Sequence, residues 1–212
     1  MFITDKVYLV EASKGAYVYA LRLADGVTLI DTSFPGHGAQ IAEELQAKQL
    51  DQVKHILLTH HDVDHIGNVA MLQQKYHCDV YISEIDMPYA LGTKKRPGLK
   101  KIVSFLVKTV PPERLQALPS GNFAISIANS IPEIQIIPTP GHTPGHTCFL
   151  FDGVLLAGDS LNSGNGKLQK SPPVMSWDRR QEIASAKAMN SLKFDWVCPA
   201  HGKPVKTSKI EI

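Results

Sequence analysis

The segment that most constrains this chain is residues 59–67, THHDVDHIG, which directly follows a nearly all-apolar run at residues 53–58. Within six residues it carries four side chains of the types that commonly bind metals: His60, Asp62, Asp64 and His65. An apolar run that ends in a polar loop before a glycine and a helical pattern indicates a buried strand that presents side chains to a cleft. Imidazole and carboxylate groups together suit a divalent cation, and two alternating pairs could serve two ions. We expect His61, which lies between them, to point away.

Three further motifs repeat this pattern along the chain. They are TPGHTPGH at residues 139–146, AGDS at residues 157–160 and PAHG at residues 199–202. Each places a histidine or an aspartate at the end of an apolar strand, next to glycine or proline, and glycine lets the backbone approach another loop closely. Six of the nine histidines lie in the four motifs, so they are not scattered as surface residues would be. Ligands on several strand ends at one sheet edge can converge in space, and we interpret His146 as a structural neighbour of that site.

Hydrophobic patterning predicts two β-rich halves, each closed by helices. In the first half we expect strands at residues 7–10, 17–23, 27–30, 53–58 and 79–83, and helices at residues 39–50 and 66–76. In the second half we expect strands at residues 134–137, 147–151, 154–157 and 196–198, and a helix at residues 179–192. The two halves suggest an α/β fold with a sheet-on-sheet core and helices outside, a four-layer αββα sandwich. Periodicity alone does not distinguish this from an ordinary α/β sandwich.

Composition excludes several classes of protein. The 212 residues, 43% of them hydrophobic, are enough to bury a core, so we exclude disorder and expect one domain over residues 1–212. No apolar run approaches the roughly 20 residues that a bilayer requires. The first residues carry Asp5 and Glu11 where a signal peptide would be apolar, and the three cysteines form no CxxC pair. We therefore predict a cytoplasmic protein with buried thiols, and the net charge of +2 gives no reason to expect a nucleic-acid partner.

A basic segment near residues 87–112 stands apart from the rest of the chain. Between Asp86 and Glu113 there is no acidic residue but there are six basic ones: Lys94, Lys95, Arg96, Lys100, Lys101 and Lys108. Apolar residues at helical spacing accompany them: Leu99, Ile102, Val103 and Leu106. We interpret the segment as an inserted amphipathic helix with a loop. It is either a solvated face packed on the body or a functional element, namely a lid over an anionic substrate, a homodimer contact or a surface attracted to anionic lipid.

The four motifs together resemble the signature of the metallo-β-lactamase superfamily, and the resemblance runs from about residue 7 to residue 205. It implies the αββα sandwich and a centre of one or two metal ions at one edge. The segment LIDTS resembles the family's first motif, whose aspartate, here Asp31, supports the metal loop from behind. Carried over residue by residue, the resemblance implies one ion held by His60, Asp62 and His142, a second held by Asp64, His65 and His201, and Asp159 bridging them.

One position departs from the family pattern, because Asp62 stands where the common motif has its second histidine. Flavodiiron proteins resemble this chain in having a carboxylate there, so we expect Asp62 to be a ligand. An added carboxylate makes the site less positive and shifts its preference from zinc toward iron or manganese. Two divalent ions are expected, with zinc first and iron or manganese as alternatives.

The resemblance implies a metal-dependent hydrolase in which a hydroxide held between two ions attacks an ester, thioester or lactone. Asp64 is the candidate catalytic residue, orienting the water and passing its proton to the leaving group. We expect a small-molecule substrate, anionic in view of the basic segment, and favour a thioesterase or a lactonase. The alternatives are a flavodiiron-like redox centre and a phosphodiesterase or nuclease.

Overall fold

Short β-rich runs separated by turn residues form most of the elements in the computed structural model, which describes residues 1–96, 106–118 and 133–212. The strands in these ranges are β1 (Val7–Val10), β2 (Val18–Leu23), β3 (Gly26–Ile30), β4 (Val53–Leu57), β5 (Asp79–Ser83), β6 (Leu115–Leu118), β7 (Gln135–Pro138), β8 (Thr147–Phe151), β9 (Val154–Gly158), β10 (Asn162–Gly164), β11 (Lys167–Gln169), β12 (Trp196–Pro199) and β13 (Val205–Lys206). The α-helices are α1 (Gly38–Ala47), α2 (Val63–Ile66), α3 (Val69–Tyr76), α4 (Met87–Ala90) and α5 (Arg179–Ala188). Single 3₁₀ turns lie before α5, at Pro173–Met175, and directly after it, at Met189–Ser191.

The strands form two main sheets. The first has the order β1-β2-β3-β4-β5-β6, in which β1 to β3 pair antiparallel and β3 to β6 pair parallel. The second has the order β13-β12-β9-β8-β7, in which only β12 and β9 are parallel among its described pairs. A separate hairpin joins β10 and β11. Each half of the chain therefore builds one main sheet, as the sequence predicts.

Alternating side chains of the strands divide the interior into three apolar layers. In β1, Tyr8 packs on the helical side with Ile41 of α1, whereas Leu9 packs between the sheets with Phe149 of β8. In β9 and β12, one set of side chains joins that layer between the sheets and the other packs against α5. Since successive strand residues face opposite sides, both faces of each sheet are buried. The αββα sandwich is confirmed.

The loops that leave the two sheets meet at one edge. Thr147 at the start of β8 donates its backbone N–H to the carbonyl of Thr59, just after β4, at 2.9 Å. Tyr19 of β2 donates its hydroxyl to the carbonyl of Pro199 at 2.8 Å. These hydrogen bonds hold the ends of strands from both sheets close together, and the polar motifs of the sequence follow those ends.

The helix expected over residues 66–76 is wrong in extent, because the chain forms two short helices broken at Gly67 and Asn68. Asn68 donates its side-chain amide to the carbonyl of Thr32 at 2.5 Å, and its Oδ1 accepts the N–H groups of His37 and Gly38. An asparagine that satisfies other backbone groups in this way competes with a continuous helix. The helix expected over residues 179–192 is an α-helix to Ala188 and continues as a 3₁₀ turn over Met189–Ser191.

Four strands, β6, β10, β11 and β13, were not expected from the sequence. They have two to four residues each and show no clean alternation of apolar and polar side chains, so periodicity gives no signal for them. In the described part of the basic segment, α4 covers the start and Leu106 is helical, whereas the other predicted helical positions, Leu99, Ile102 and Val103, lie outside the described residues. None of the helices that the structure describes is long and apolar enough to cross a membrane.

Candidate metal centre

All the residues that the sequence proposes as ligands lie in loops at the shared edge of the two sheets. The loop after β4 leads into α2 and carries the first motif, and loops after β7, β9 and β12 carry the other three. The side chains gathered there are His60, Asp62, Asp64, His65, His142, Asp159 and His201. The structure brings together every candidate, although they are as far apart as residues 60 and 201 in the sequence.

One group of donors consists of His60, His142 and Asp159, whose ligand atoms lie within 4.8 Å of one another and are buried. Asp62 belongs to the same group, because its Oδ2 lies 3.4 Å from Nε2 of His60 and 3.2 Å from Nε2 of His142. The carboxylate at the unusual position therefore faces the same imidazole nitrogens that a metal would use.

A second group consists of Asp64, His65 and His201, again with ligand atoms within 4.8 Å of one another. Nε2 of His201 lies 3.3 Å from Oδ2 of Asp64. Asp159 lies between the two groups: its Oδ1 is 3.3 Å from Nε2 of both His65 and His201, and its Oδ2 is 3.4 Å from Nε2 of His142. One carboxylate thus contacts both groups through different oxygens.

Asp31, at the end of β3, fixes the ring orientation of two histidines. Its Oδ2 accepts the Nδ1 proton of His65 at 2.7 Å and the hydroxyl proton of Thr59 at 2.8 Å. Because the Thr59 hydroxyl has given its one proton to Asp31, it accepts the Nδ1 proton of His60 at 3.0 Å. This assigns His60 the tautomer with a lone pair on Nε2, and it directs Nε2 of His65 at the centre, where that nitrogen can bind an ion once its proton has left.

His146 positions the backbone of Asp159. Its Nε2 accepts the N–H of Asp159 at 3.1 Å, so its proton is on Nδ1, which lies 2.8 Å from the hydroxyl of Thr139. Burial lowers the pKa of His146 to about 3, so the ring stays neutral and keeps this acceptor. The structure therefore supports the interpretation of His146 as a structural neighbour of the site.

Charge in the cluster is distributed between imidazoles and carboxylates. Burial alone would lower the pKa of His65, but the carboxylates of Asp31, Asp159 and Asp64 raise it well above its usual value. Burial likewise opposes protonation of His201, but hydrogen bonds to Asp159 and Asp64 raise its pKa to about 10. Burial and the neighbouring His65 hold the pKa of His60 well below its usual value. Without an ion, the protons on His65 and His201 therefore offset part of the negative charge of the carboxylates.

The donor atoms fit a pair of divalent cations. Nε2 of His60, Nε2 of His65 and Oδ1 of Asp159 are buried, and in the described ranges none of them makes a well-aligned hydrogen bond, although Nε2 of His65 and Nε2 of His201 lie 3.3 Å from that oxygen. A buried polar atom left unsatisfied costs about 1–3 kcal/mol, which a bound cation would remove by using its lone pair. Mixed imidazole and carboxylate donors suit zinc, iron or manganese.

Comparison with known proteins agrees with this geometry. The model of the metallo-beta-lactamase superfamily matches residues 14–201, a range that includes every residue of both donor groups. The chain belongs to the metallo-beta-lactamase superfamily.

Relatives within the superfamily include metallo-hydrolases. "Probable metallo-hydrolase YflN" of Bacillus subtilis (strain 168) is 31% identical over 173 residues, which cover 71% of this chain and 66% of that protein. The hydroxyacylglutathione hydrolase of Shewanella baltica (strain OS195) is 32% identical over 155 residues, 73% of this chain but only 51% of the relative. A solved structure, TTHA1623 in a di-iron-bound form, superposes with a TM-score of 0.70 at 24% identity, covering 90% of this chain and 89% of the other. The similarity to TTHA1623 shows that the two chains share a fold.

Two buried carboxylates beside the centre were missed by the sequence reasoning. Asp86 accepts Nδ1 of His61 at 2.8 Å, the hydroxyl of Thr143 at 2.6 Å and the N–H of Gly145 at 2.7 Å, which turns His61 away as expected and ties two loops together. The second, Glu182 of α5, lies against His142. Neither is in a motif of ligand-type residues, and the only signal for Asp86 is its place shortly after a buried strand.

Proposed function

We propose that this protein is a hydrolase that uses two divalent metal ions to cleave a thioester bond. The observation that carries the proposal is the pair of donor groups that share Asp159, with carboxylate–imidazole distances of 3.3–3.4 Å on both sides. In this proposal one ion is held by His60, Asp62 and His142, and the other by Asp64, His65 and His201. Asp159 would bridge them.

Divalent ions in such a site lower the pKa of a coordinated water and polarise a carbonyl. The chain supplies orientation and proton transfer. Asp64 is the candidate catalytic residue, because its side chain is 28% exposed at the open side of the cluster while Asp159 is nearly buried. We infer that the Asp64 carboxylate orients the attacking water, takes its proton and delivers it to the leaving thiolate.

Zinc is the first candidate for the ions, and iron or manganese are the alternatives. The argument for the alternatives is Asp62, a third carboxylate in addition to Asp64 and Asp159, since hard oxygen donors favour such ions more than imidazole does. Metal analysis of the purified protein by elemental methods would identify the ion and give its stoichiometry.

A thioester is favoured by the hydroxyacylglutathione hydrolases among the relatives, which are about 30% identical. The chain spans 51% and 56% of the length of two of them. A basic side chain near the site supports an anionic substrate, since the buried Arg96 donates to the carbonyl of His61, next to Asp62.

The test is an activity screen on metal-loaded protein with a thioester, a homoserine lactone, a phosphodiester and a p-nitrophenyl ester. We expect the thioester to be hydrolysed fastest, and we expect Asp159→Ala and His142→Ala to abolish turnover with the fold retained. His77→Asn is the matched control, because it replaces an exposed histidine outside the cluster that has a left-handed backbone which asparagine tolerates. Preference for the lactone would change the substrate class, and full activity of either alanine variant would overturn the site.

A further inference from the structure

We propose that Glu182 is a positioning residue that sets the proton position and orientation of His142, and thereby the strength with which the His142 side of the centre holds its ion. The proposal rests on the proposed function in that it takes His142 as a ligand. Glu182 belongs to none of the four motifs and lies in α5, on the outer face of the second sheet.

The start of α5 is built onto the loop that carries His142. The backbone N–H groups of Trp177 and Asp178 both donate to the carbonyl of Gly141, at 3.0 and 2.9 Å. The hydroxyl of Ser185 donates to the carbonyl of Pro140 at 2.8 Å. Gly141 has φ +136°, and a Cβ there would lie 2.1 Å from the backbone nitrogen of Glu182, so only glycine allows the helix this close.

The carboxylate of Glu182 is held firmly by one oxygen and faces His142 with the other. Oε2 accepts the hydroxyl of Ser176 at 2.7 Å and Nη1 of Arg179 at 2.6 Å. Oε1 is buried, has no hydrogen-bond partner within the described part of the chain, and lies 3.9 Å from Nδ1 of His142. Glu182 as a whole is 3% exposed, so water does not compete freely for that oxygen.

An acceptor oxygen opposite Nδ1 favours the tautomer of His142 that carries its proton there. In the metal-free protein Nε2 faces the acceptor oxygens of Asp62 and Asp159 at 3.2 and 3.4 Å and donates to them; an ion bound at Nε2 would require the His142 proton on Nδ1, opposite Oε1. A movement of about 1 Å would bring Nδ1 and Oε1 to hydrogen-bond distance. Glu182 would thus act on His142 as Asp31 acts on His65, since a carboxylate behind a metal-binding histidine fixes the ring and increases its basicity.

The substitution Glu182→Gln separates this role from a merely structural one. Ser176 and Arg179 both donate to Oε2, so the glutamine carbonyl must take that place, and its NH₂ group must take the place of Oε1. The group that faces Nδ1 then becomes a donor. It opposes the Nδ1 proton that a metal-bound His142 must carry, while the shape and the contacts of the buried side chain are kept.

The experiment measures zinc affinity by chelator competition on the full chain, together with the ¹⁵N chemical shifts of the His142 ring in zinc-loaded protein. We expect Glu182→Gln to shift the Nδ1 resonance of His142, because the acceptor opposite that N–H group is replaced by a donor, and to weaken the binding of one zinc ion by about 10–100-fold, with the other ion unaffected. Gln181→Ala, an exposed neighbour on the same helical turn, is the matched control and should change neither.

Two reference variants decide between the possible failures. If His142→Ala weakens zinc binding but Glu182→Gln leaves both the zinc affinity and the His142 ¹⁵N shifts of wild type, the role of Glu182 is wrong and the metal centre stands. If His142→Ala itself leaves zinc binding intact, the ligand assignment and the inference both fail. If Glu182→Gln unfolds the protein, Ser176→Ala, which removes one of the two donors to Oε2, should still change the Nδ1 shift of zinc-bound His142, and an unchanged spectrum would refute the proposal.

Discussion

Asp31 offers the sharpest test of how the fold prepares the donor atoms, and the substitution to make is Asp31→Asn. Asp31 is buried and has φ +61°, a left-handed conformation that asparagine adopts about as readily as aspartate. The change therefore keeps the shape and the backbone and alters only the pattern of donors and acceptors.

Either orientation of the new amide places two donors face to face. If NH₂ replaces Oδ1, it meets the backbone N–H of Thr59, and if it replaces Oδ2, it meets the Nδ1 proton of His65. One lost pairing in a buried site costs about 1–3 kcal/mol. A domain of about 200 residues loses about 2–4 °C in Tm per kcal/mol, so we expect a Tm that is lower by roughly 2–12 °C.

The orientation with NH₂ toward His65 places a donor opposite Nδ1. The neutral His65 ring then carries its proton on Nε2 and loses the lone pair that would bind an ion. We expect metal affinity at the Asp64, His65 and His201 group to fall by about 10–100-fold. The assays are thermal unfolding of the metal-free protein and chelator competition with zinc.

Glu44 provides a matched control. Its carboxylate accepts the hydroxyl of Tyr8 and the N–H groups of Glu11 and Ala12, at 2.7–2.8 Å, and belongs to neither donor group. Glu44→Gln should lower Tm without changing zinc affinity. The reasoning about Asp31 is refuted if Asp31→Asn lowers Tm as Glu44→Gln does and binds zinc like wild type.

Three further outcomes are expected. Gly141→Ala should cost about 2–4 kcal/mol in urea unfolding, because its φ is +136° and the added Cβ would lie 2.1 Å from a backbone nitrogen of α5; a loss below 1 kcal/mol would mean that the helix moves freely. Zinc binding at pH 7 should release protons from His65 and His201, because the pKa values of both are raised, that of His201 to about 10. Zinc affinity should therefore rise by up to tenfold per pH unit for each proton released. Calorimetry in two buffers of different ionisation enthalpy measures this release, and a binding enthalpy that does not depend on the buffer would contradict it. Phe149→Ala should cost about 3–5 kcal/mol, because the ring is fully buried between the sheets, and should leave the zinc stoichiometry unchanged.

The ligand-type residues could be predicted from the sequence because their signal is local. A histidine or aspartate placed next to glycine or proline at the end of an apolar run is visible without any knowledge of the fold, as at His142 and His201. The layers follow from the alternation within β1, β8 and β9, where neighbouring residues enter different cores. Both signals can be read from a single sequence, because the alternation has a period of two residues and each ligand-type residue lies at the end of one strand.

The residues behind the ligands could not be predicted in this way. Asp86 and Glu182 act through partners 57 and 40 positions away, at Thr143 and His142, and their own neighbourhood gives no signal beyond the place of Asp86 shortly after a buried strand. The break in the expected helix at Asn68 has the same origin, because its amide is used by residues 32 to 38 of another loop. Such contacts depend on which loops the fold brings together, and patterns within a single segment carry no information about that.

The position of the centre between the two sheets determines how metal binding relates to folding. Each donor group takes residues from both halves, since His60 meets His142 and Asp159, and His65 meets His201. The halves are already joined without an ion by the apolar layer around Phe149 and by the bond from Thr147 to Thr59. Small metal domains that lack such cores fold only when the metal binds. Here the scaffold brings the donors together first, so the metal-free chain should fold, and the ions add stability in proportion to the logarithm of their free concentration.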